Sequence, residues 1–504
     1  MKAGLDAKAA RQAPARERVS QCDLPPEEFR RAGHRLVDRL ADFLAALPQG
    51  SVTPAEPREA VRALIGADRP LPEGGRKAEE IVEEAAELLI AHSLFNGHPR
   101  FFGYITAGPA PIGALAELLA ATINPNVGAW KLAPAASEIE AQTVRWIAEF
   151  IGFPVDAGGL LVSGGNMANL VGFLAARATQ LGSEIRSAGI GSLGRRPRCY
   201  CSAETHTWIQ KAADLSGLGT DSIRWTPCDD RGRMRVAVLA EQIAQDRAAG
   251  DLPFLVVGTA GSVSTGAVDP LPELASLCQQ EGLWFHVDGA YGGLAARVPG
   301  VPEELRGLSL ADSVAVDPHK WLYAPLEAGC ALVREWSHLR NAFSYRPPYY
   351  NFEQEALNYF DVGPQNSRGF RALKVWMAFQ QAGRQGYMES VGADIELAGY
   401  AYRWLDAHPE FEVHSLGLSV CTFRYVPPAL AARDRSEETE RRIDQVNRDL
   451  LEKIEASGEA FLSNAVVGGR YLLRLCVVNF RTTAADIERL PELIARLGRE
   501  AVAS

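Results

Sequence analysis

Four stretches of this 504-residue sequence end an apolar, strand-like run on residues that could do chemistry. In "SVAVDPHKWLYAP", residues 313–325, a strand delivers Lys320 between an imidazole and an indole. A lysine becomes a nucleophile for an aldehyde once its ammonium loses a proton, and apolar neighbours such as Trp321 favour that loss. In "LWFHVDGAYGG" a carboxylate, Asp288, closes an apolar strand and is followed by Gly289 and Ala290. A carboxylate there is costly unless a cation meets it, and a pyridinium N–H on a flat ring lying over the small residues would serve. In "GGLLVSGGNMANLVGF" a strand passes through Ser163, Gly164, Gly165 and Asn166 into a helix, whose free amides could cradle a phosphate. In "CSAETHTWIQKAA" His206 follows a strand and opens a helix, where an imidazole could stack on a ring.

Each stretch has a plainer explanation when taken singly: a surface lysine, a turn-capping aspartate, a common Gly-rich turn, a histidine at a polar helix start. Together they describe one ligand with an aldehyde, a ring nitrogen, a phosphate and a ring face. Pyridoxal 5'-phosphate has all four.

The elements that must position these residues alternate strand with helix. "GLLVS", "RCYCS", "FLVVGTA", "LWFHVD", "SVAVD" and "GCALV" read as strands. "MANLVGFLAARATQL", "VLAEQIAQDRAA" and "PELASLCQQEG" read as helices between them. Such a pattern predicts an α/β fold with a mainly parallel sheet covered on both faces, and ligands bind beyond the carboxyl ends of its strands. Residues 1–22 read as a disordered leader, 23–105 as a helical N-terminal segment, 106–385 as the large domain and 386–504 as a small C-terminal domain. In the first helix Phe29, Leu36, Leu40 and Phe43 share a face, and Thr483 with Asp486 predicts a capping box near the C-terminus.

A net charge of −10 argues against nucleic acid or an anionic membrane as partner. No apolar run reaches the ~18 residues of a membrane span. Eight scattered cysteines suggest reduced thiols and a cytoplasmic location, and the close pair Cys199 and Cys201 lacks metal-ligand spacing, so no metal is expected.

With these motifs in order, the sequence resembles the pyridoxal-phosphate-dependent group II amino acid decarboxylases, a family that includes aromatic L-amino acid, glutamate and histidine enzymes. The likeness runs from about residue 23 to the C-terminus through "EEFRRAGHRLVDRLADF", "GHPRFFGY", "ASEIEAQTVRWIAE", "HVDGAYGG", "DPHKW" and "GFRALKVW". The resemblance implies the aminotransferase-type fold (fold type I) and a homodimer. The N-terminal helices would clasp the neighbouring subunit and the active site would lie at the interface. By position, Lys320 matches the Schiff-base lysine, Asp288 the partner of the ring nitrogen, Ala290 a residue under the ring and His206 the stacking histidine. Gly164, Gly165 and Asn166 match the phosphate turn. Asp317 stands where animal aromatic enzymes carry asparagine, and Val263 where they carry threonine, so Ser262 or Ser264 would have to supply the missing hydroxyl. The family's catalytic loop falls between Tyr345 and Arg368, and Tyr359 aligns with its catalytic tyrosine.

The implied reaction is loss of CO2 from an L-amino acid, with the carbanion protonated by Tyr359 or by a relay through His206 or His319. Phe101, Phe102, Tyr104 and Trp130 come from segments that line the family's pocket and suit an aromatic substrate. Ser367 aligns where plant relatives carry serine with phenolic substrates, which favours phenylalanine, tyrosine or DOPA over tryptophan. Arg100 and Lys131 would pair with an acidic side chain instead, which keeps glutamate or aspartate open. An aminotransferase or an aldehyde synthase would use the same fold and cofactor.

Overall fold

The computed structural model describes Ser20, residues 22–347 and residues 356–503. The expected leader therefore falls almost wholly outside the described residues, as does the middle of the expected catalytic loop. The chain divides into two compact units, at Leu94.

The N-terminal unit contains helices α1 (Pro26–Ala46), α2 (Arg58–Ile65) and α3 (Ala78–Ala91). α1 begins on a proline and carries Glu27 and Glu28 in its first turn, which suits the positive end of the helix dipole. Arg31 and Arg35 of α1 pair with Glu79 of α3 at 2.9 and 3.4 Å, and Arg39 pairs with Glu83. Exposed pairs of this kind contribute little stability. The apolar face of α1 stays open, with Phe29 50% and Leu40 40% exposed.

The larger unit opens with α4 (Pro111–Ile123) and α5 (Pro134–Ile151). It then runs β1 (Gly158–Val162), α6 (Gly165–Gln180), a single turn α7 (Ile185–Ala188), β2 (Pro197–Ser202), α8 (Trp208–Leu215), β3 (Ile223–Thr226), α9 (Val236–Ala248), β4 (Leu252–Thr259), α10 (Leu271–Glu281), β5 (Trp284–Asp288), β6 (Ser313–Val316), β7 (Gly329–Val333) and α11 (Trp336–Phe343). The seven strands lie in the order β1-β7-β6-β5-β4-β2-β3. β3, β2, β4, β5 and β6 run parallel, and β7 lies antiparallel to both β6 and β1. Two reversals at β7 bring the carboxyl end of β1 to the same edge as those of β2, β4, β5 and β6. The central strands are buried along their whole length, as a sheet covered on both faces requires. β3 escaped the sequence reading because only its end residues, Ile223 and Thr226, are buried.

α12 (Ala372–Asp406) spans the expected boundary at residue 385 and breaks its helical path at Gly383. After it come β8 (Phe411–Gly417), β9 (Val420–Tyr425), α13 (Pro428–Ala431), α14 (Glu437–Ser457), β10 (Ser463–Val467), β11 (Arg470–Cys476), α15 (Ala484–Glu488) and α16 (Leu490–Ala503). The four strands form an antiparallel sheet in the order β10-β11-β9-β8. The Thr483–Asp486 capping box forms as expected. Among the described residues no helix is long and apolar enough to cross a membrane, and no cluster of ligating side chains could hold a metal ion.

Candidate active site

The strand-end residues converge. A cleft of about 280 Å3 is lined by Gly164, Gly165, Asn166, His206, Asp288, Ala290, Asp317, His319 and Lys320, so four distant stretches meet in one place. Ile105, Glu204, Thr259, Val263 and Tyr291 complete much of the wall.

At the α6 end, Gly164 adopts φ 111, a conformation that favours glycine. A Cβ on Gly165 would stand 2.6 Å from Asp317 Oδ2 and 3.0 Å from the Cβ of Ala290. Both glycines are thus needed for the backbone to approach its surroundings this closely. The first amides of α6 have no carbonyl within the helix to bind, which makes them a ready anion site.

At the end of β5, Asp288 is almost fully buried. Its Oδ1 accepts the amide of Ala290 at 3.2 Å and its Oδ2 accepts Trp208 Nε1–H at 2.7 Å. Behind it His286 binds Ser313 Oγ and Asn169 Oδ1 through its two ring nitrogens, and burial pulls its pKa down to about 4. In the connection from β4 to α10, Asp269 accepts the amides of Thr259 and Met234 and steadies the end of β4. His206 sits at the start of α8, where its Nδ1 accepts the amide of Trp208 at 3.3 Å, and burial lowers its pKa.

Past β6 the chain turns tightly, and the Lys320 amide bonds the Asp317 carbonyl at 2.9 Å. Lys320 Nζ lies 3.1 Å from Asp317 Oδ2, and His319 Nε2 lies 3.5 Å from the same oxygen. His319 Nδ1 accepts the Ala328 amide at 3.1 Å, and burial lowers its pKa. Asp317 Oδ1 is buried without a hydrogen-bond partner among the described residues. Asp317 thus meets the lysine, which answers how a carboxylate is tolerated at that position. Trp321 does not supply the apolar neighbourhood expected for Lys320. Its indole is fully buried in the core, donates to Asp394 Oδ2 at 3.0 Å and stacks on Tyr291.

Other expected site residues lie off the cleft, among them Phe102, which is fully buried, and Ser264. Ser262 spends its hydroxyl inside its own turn, against Thr265 Oγ1 at 3.1 Å and the Ala267 amide. Phe101 is buried and stacked on Phe461, with ring centroids 5.2 Å apart. Tyr104 is 59% exposed. Trp130 donates its Nε1–H to Glu138 at 2.8 Å, and Ser367 is exposed. Tyr359 departs furthest from expectation. It is fully buried, its hydroxyl has no hydrogen-bond partner among the described residues, and the Arg368 guanidinium covers its ring at 4.5 Å. Burial pushes its pKa well above the usual phenol value, and it does not line this cleft. Arg368 itself is locked to buried Glu140 and to the Leu161 carbonyl. Two other tyrosines of that loop, Tyr349 and Tyr350, lie outside the described residues.

Sequence reasoning missed two residues. Trp208 joins His206 to Asp288. Arg474 on β11 is buried, donates to the carbonyls of Val263 and Tyr104, and keeps Nη2 without a partner among the described residues. Trp208 was legible only as an indole two residues beyond a candidate histidine, and Arg474 only as a charge inside an apolar strand.

A glycine-lined helix start, a buried carboxylate, an imidazole and a lysine around one cleft define a pyridoxal phosphate site. The pyridoxal-dependent decarboxylase conserved domain matches residues 59–426, and the chain belongs to this family: it is a pyridoxal-phosphate-dependent carboxy-lyase acting on an amino acid. An aromatic-L-amino-acid decarboxylase of Bacillus atrophaeus is 32% identical over 483 residues, 95% of this chain and 97% of that one. A human cysteine sulfinic acid decarboxylase is 31% identical over 453 residues, 88% of this chain and 90% of that one. Among solved structures, Oryza sativa TDC with PLP and tryptamine superposes with a TM-score of 0.87 at 27% identity, covering 95% of this chain and 99% of that one.

Proposed function

We propose that this enzyme converts an aromatic L-amino acid to its amine and CO2, with phenylalanine, tyrosine or DOPA preferred to tryptophan. The observation that carries the aromatic reading is the charge of the cleft. Glu204, Asp288 and Asp317 line it, and Lys320 is the one lysine or arginine among the described lining residues. With Asp288 committed to the ring nitrogen and Asp317 to Lys320, an acidic substrate side chain would meet Glu204 with no spare lysine or arginine among the described lining residues to offset the repulsion. The preference for a phenolic ring rests on Ser367 alone.

The residues fit the cofactor. The amides of Gly165 and Asn166 would hold the phosphate, Asp288 would meet the ring nitrogen, and Ala290 and His206 would pack against the ring. Lys320 is the amine that meets the aldehyde. Bound pyridoxal phosphate supplies the electron sink for the pair left behind as CO2 departs. Asp288 keeps a negative charge where the ring nitrogen holds its proton. Asp317 would hold the Lys320 amine whenever substrate has displaced it from the cofactor's aldehyde. In both His206 and His319 the Nδ1 already accepts a backbone amide, so Nε2 is the nitrogen left to exchange a proton, and either imidazole would serve as the relay.

The working form is a homodimer with its site at the subunit interface. Two observations support this. Phe29 and Leu40 on α1, and Leu115, Leu118, Leu119 and Ile123 on α4, expose apolar surface. Phe101, Tyr104, Trp130 and Ser367 do not line the cleft of their own chain. The second subunit is the place where an N-terminal clasp and a substrate pocket of this composition would be completed.

One observation favours a different substrate: the unpartnered Nη2 of buried Arg474, which could meet an acidic side chain. A panel of L-amino acids with amine detection decides. Fastest turnover of a phenolic amino acid is expected, and faster turnover of glutamate, aspartate or cysteine sulfinate than of any aromatic would overturn the aromatic reading.

A further inference from the structure

Trp208 touches both groups proposed to grip the cofactor ring. Its indole Nε1–H donates to Asp288 Oδ2 at 2.7 Å, and its backbone amide donates to His206 Nδ1 at 3.3 Å. The residue is 1% exposed and opens α8. Its ring is wedged edge-on between Phe173, at 6.4 Å, and His286, at 5.6 Å. His286 is itself clamped by Ser313 and Asn169, so the indole has no freedom to swing away.

We infer that Trp208 is a positioning residue that sets the orientation of Asp288 toward the cofactor's ring nitrogen and the tautomer of His206 against the ring face. The inference rests on the reading that Asp288 meets the ring nitrogen. A carboxylate at a strand end can rotate about its side-chain bonds, and the Ala290 amide alone holds only Oδ1. The indole N–H fixes Oδ2, so the carboxylate plane is set from both sides. A hydrogen bond to an ionised oxygen in a buried site is stronger and more directional than one between neutral groups. The backbone amide bonded to Nδ1 leaves the His206 proton on Nε2. One residue at a helix start thus aligns the two groups, Asp288 through its side chain and His206 through its backbone amide. The plainer explanation is that a buried indole N–H needs some acceptor and Asp288 is the nearest. On that account the ring would be packing, and its N–H would not affect what the carboxylate does.

A pair of ligands separates the two. Apoprotein is titrated with pyridoxal phosphate and with the analogue in which C–H replaces the ring nitrogen, for the parent, Trp208→Phe and Asp288→Asn. Trp208→Phe should bind pyridoxal phosphate about tenfold more weakly, ~1.4 kcal/mol, and bind the analogue as the parent does. In the loaded enzyme kcat should fall while KM stays within about twofold, as expected when an interaction matters to the reacting state and not to substrate binding. Equal losses for both ligands, or no loss for either, would overturn the inference and make Trp208 a packing residue. If Trp208→Phe does not fold, benzothienylalanine at position 208 keeps the shape of indole without the N–H, and the same criteria apply. Asp288→Asn tests the underlying reading separately, because it should erase the parent's preference for the nitrogen-bearing ligand. If Asp288→Asn keeps that preference, the reading itself fails. If it erases the preference and Trp208→Phe does not reduce it, only the role of Trp208 fails.

Discussion

The cleft at the strand ends and the aromatic set expected around the substrate contrast sharply. Lys320, Asp288, His206 and the Gly164–Gly165 turn come from residues 164 to 320, and the central sheet brings all of them to one edge. Phe101, Tyr104, Trp130, Tyr359 and Ser367 lie outside that stretch of chain, and none of them lines the same cleft. Parallel strands impose convergence, because every βα turn must emerge on the same side. Loops and chain segments outside the sheet carry no such constraint. The cofactor half of the site is therefore assembled by topology within one chain, whereas the substrate half depends on further contacts.

The sharpest way to break this comparison is Lys320→Ala. It should lose the visible absorbance of the loaded enzyme and reduce amine production on the order of 10³-fold or more. Retained absorbance with retained turnover would remove the cleft from the chemistry. Asp288→Asn should still take up cofactor, with a loss of roughly 10²-fold in kcat, and near-parent kcat measured by CO2 release would contradict its assigned role. The substrate half is tested by mixing. Neither Lys320→Ala nor Trp130→Ala alone should be fully active, and co-refolded chains of the two variants should regain activity if Trp130 serves the other subunit's cleft. Failure to regain activity, with a dimeric mass by light scattering, would place Trp130 in structural packing.

Asp394 on α12 ties the residues after Lys320 to Asn479, accepting Trp321 Nε1–H, Tyr323 OH at 2.8 Å and the Asn479 amide. Burial pushes its pKa up to about 7 from an ordinary 3.8. The folded chain therefore holds this proton more tightly than the unfolded chain. That contribution is complete below about pH 4 and is lost as pH rises towards 7. Asp394→Asn should flatten the decline in thermal midpoint across that window, corresponding to ~1–3 kcal/mol, and an unchanged slope would assign the decline to other groups. The smallest effect belongs to Tyr359→Phe. Removing a buried, unpartnered hydroxyl should leave turnover within about twofold, with stability equal or higher by up to ~1 kcal/mol. A shift of product from amine to aldehyde, with peroxide formed, would instead restore Tyr359 as the proton donor.

Sequence alone determined the strand–helix alternation, the residues at the strand ends and, through their joint chemistry, the cofactor. These were legible because each strand's apolar run stops abruptly at a polar residue, and a buried charge in that position demands a partner. Even Cys199 and Cys201 follow this logic: period two places both inside β2, where burial lifts the Cys199 thiol to about 12 and keeps it inert. Tertiary structure alone decided which aromatic residues face the cleft. Tyr359 and Trp321 are read identically in sequence as candidates beside a lysine or on a loop, yet both are core, because a large ring is placed by what packs against it across the chain. It also decided what surrounds each charge. Trp208 turned to Asp288 is a pairing between separate turns of the fold, set by the spacing of strands in the sheet, whereas Asp317 meets Lys320 three residues on, inside one turn.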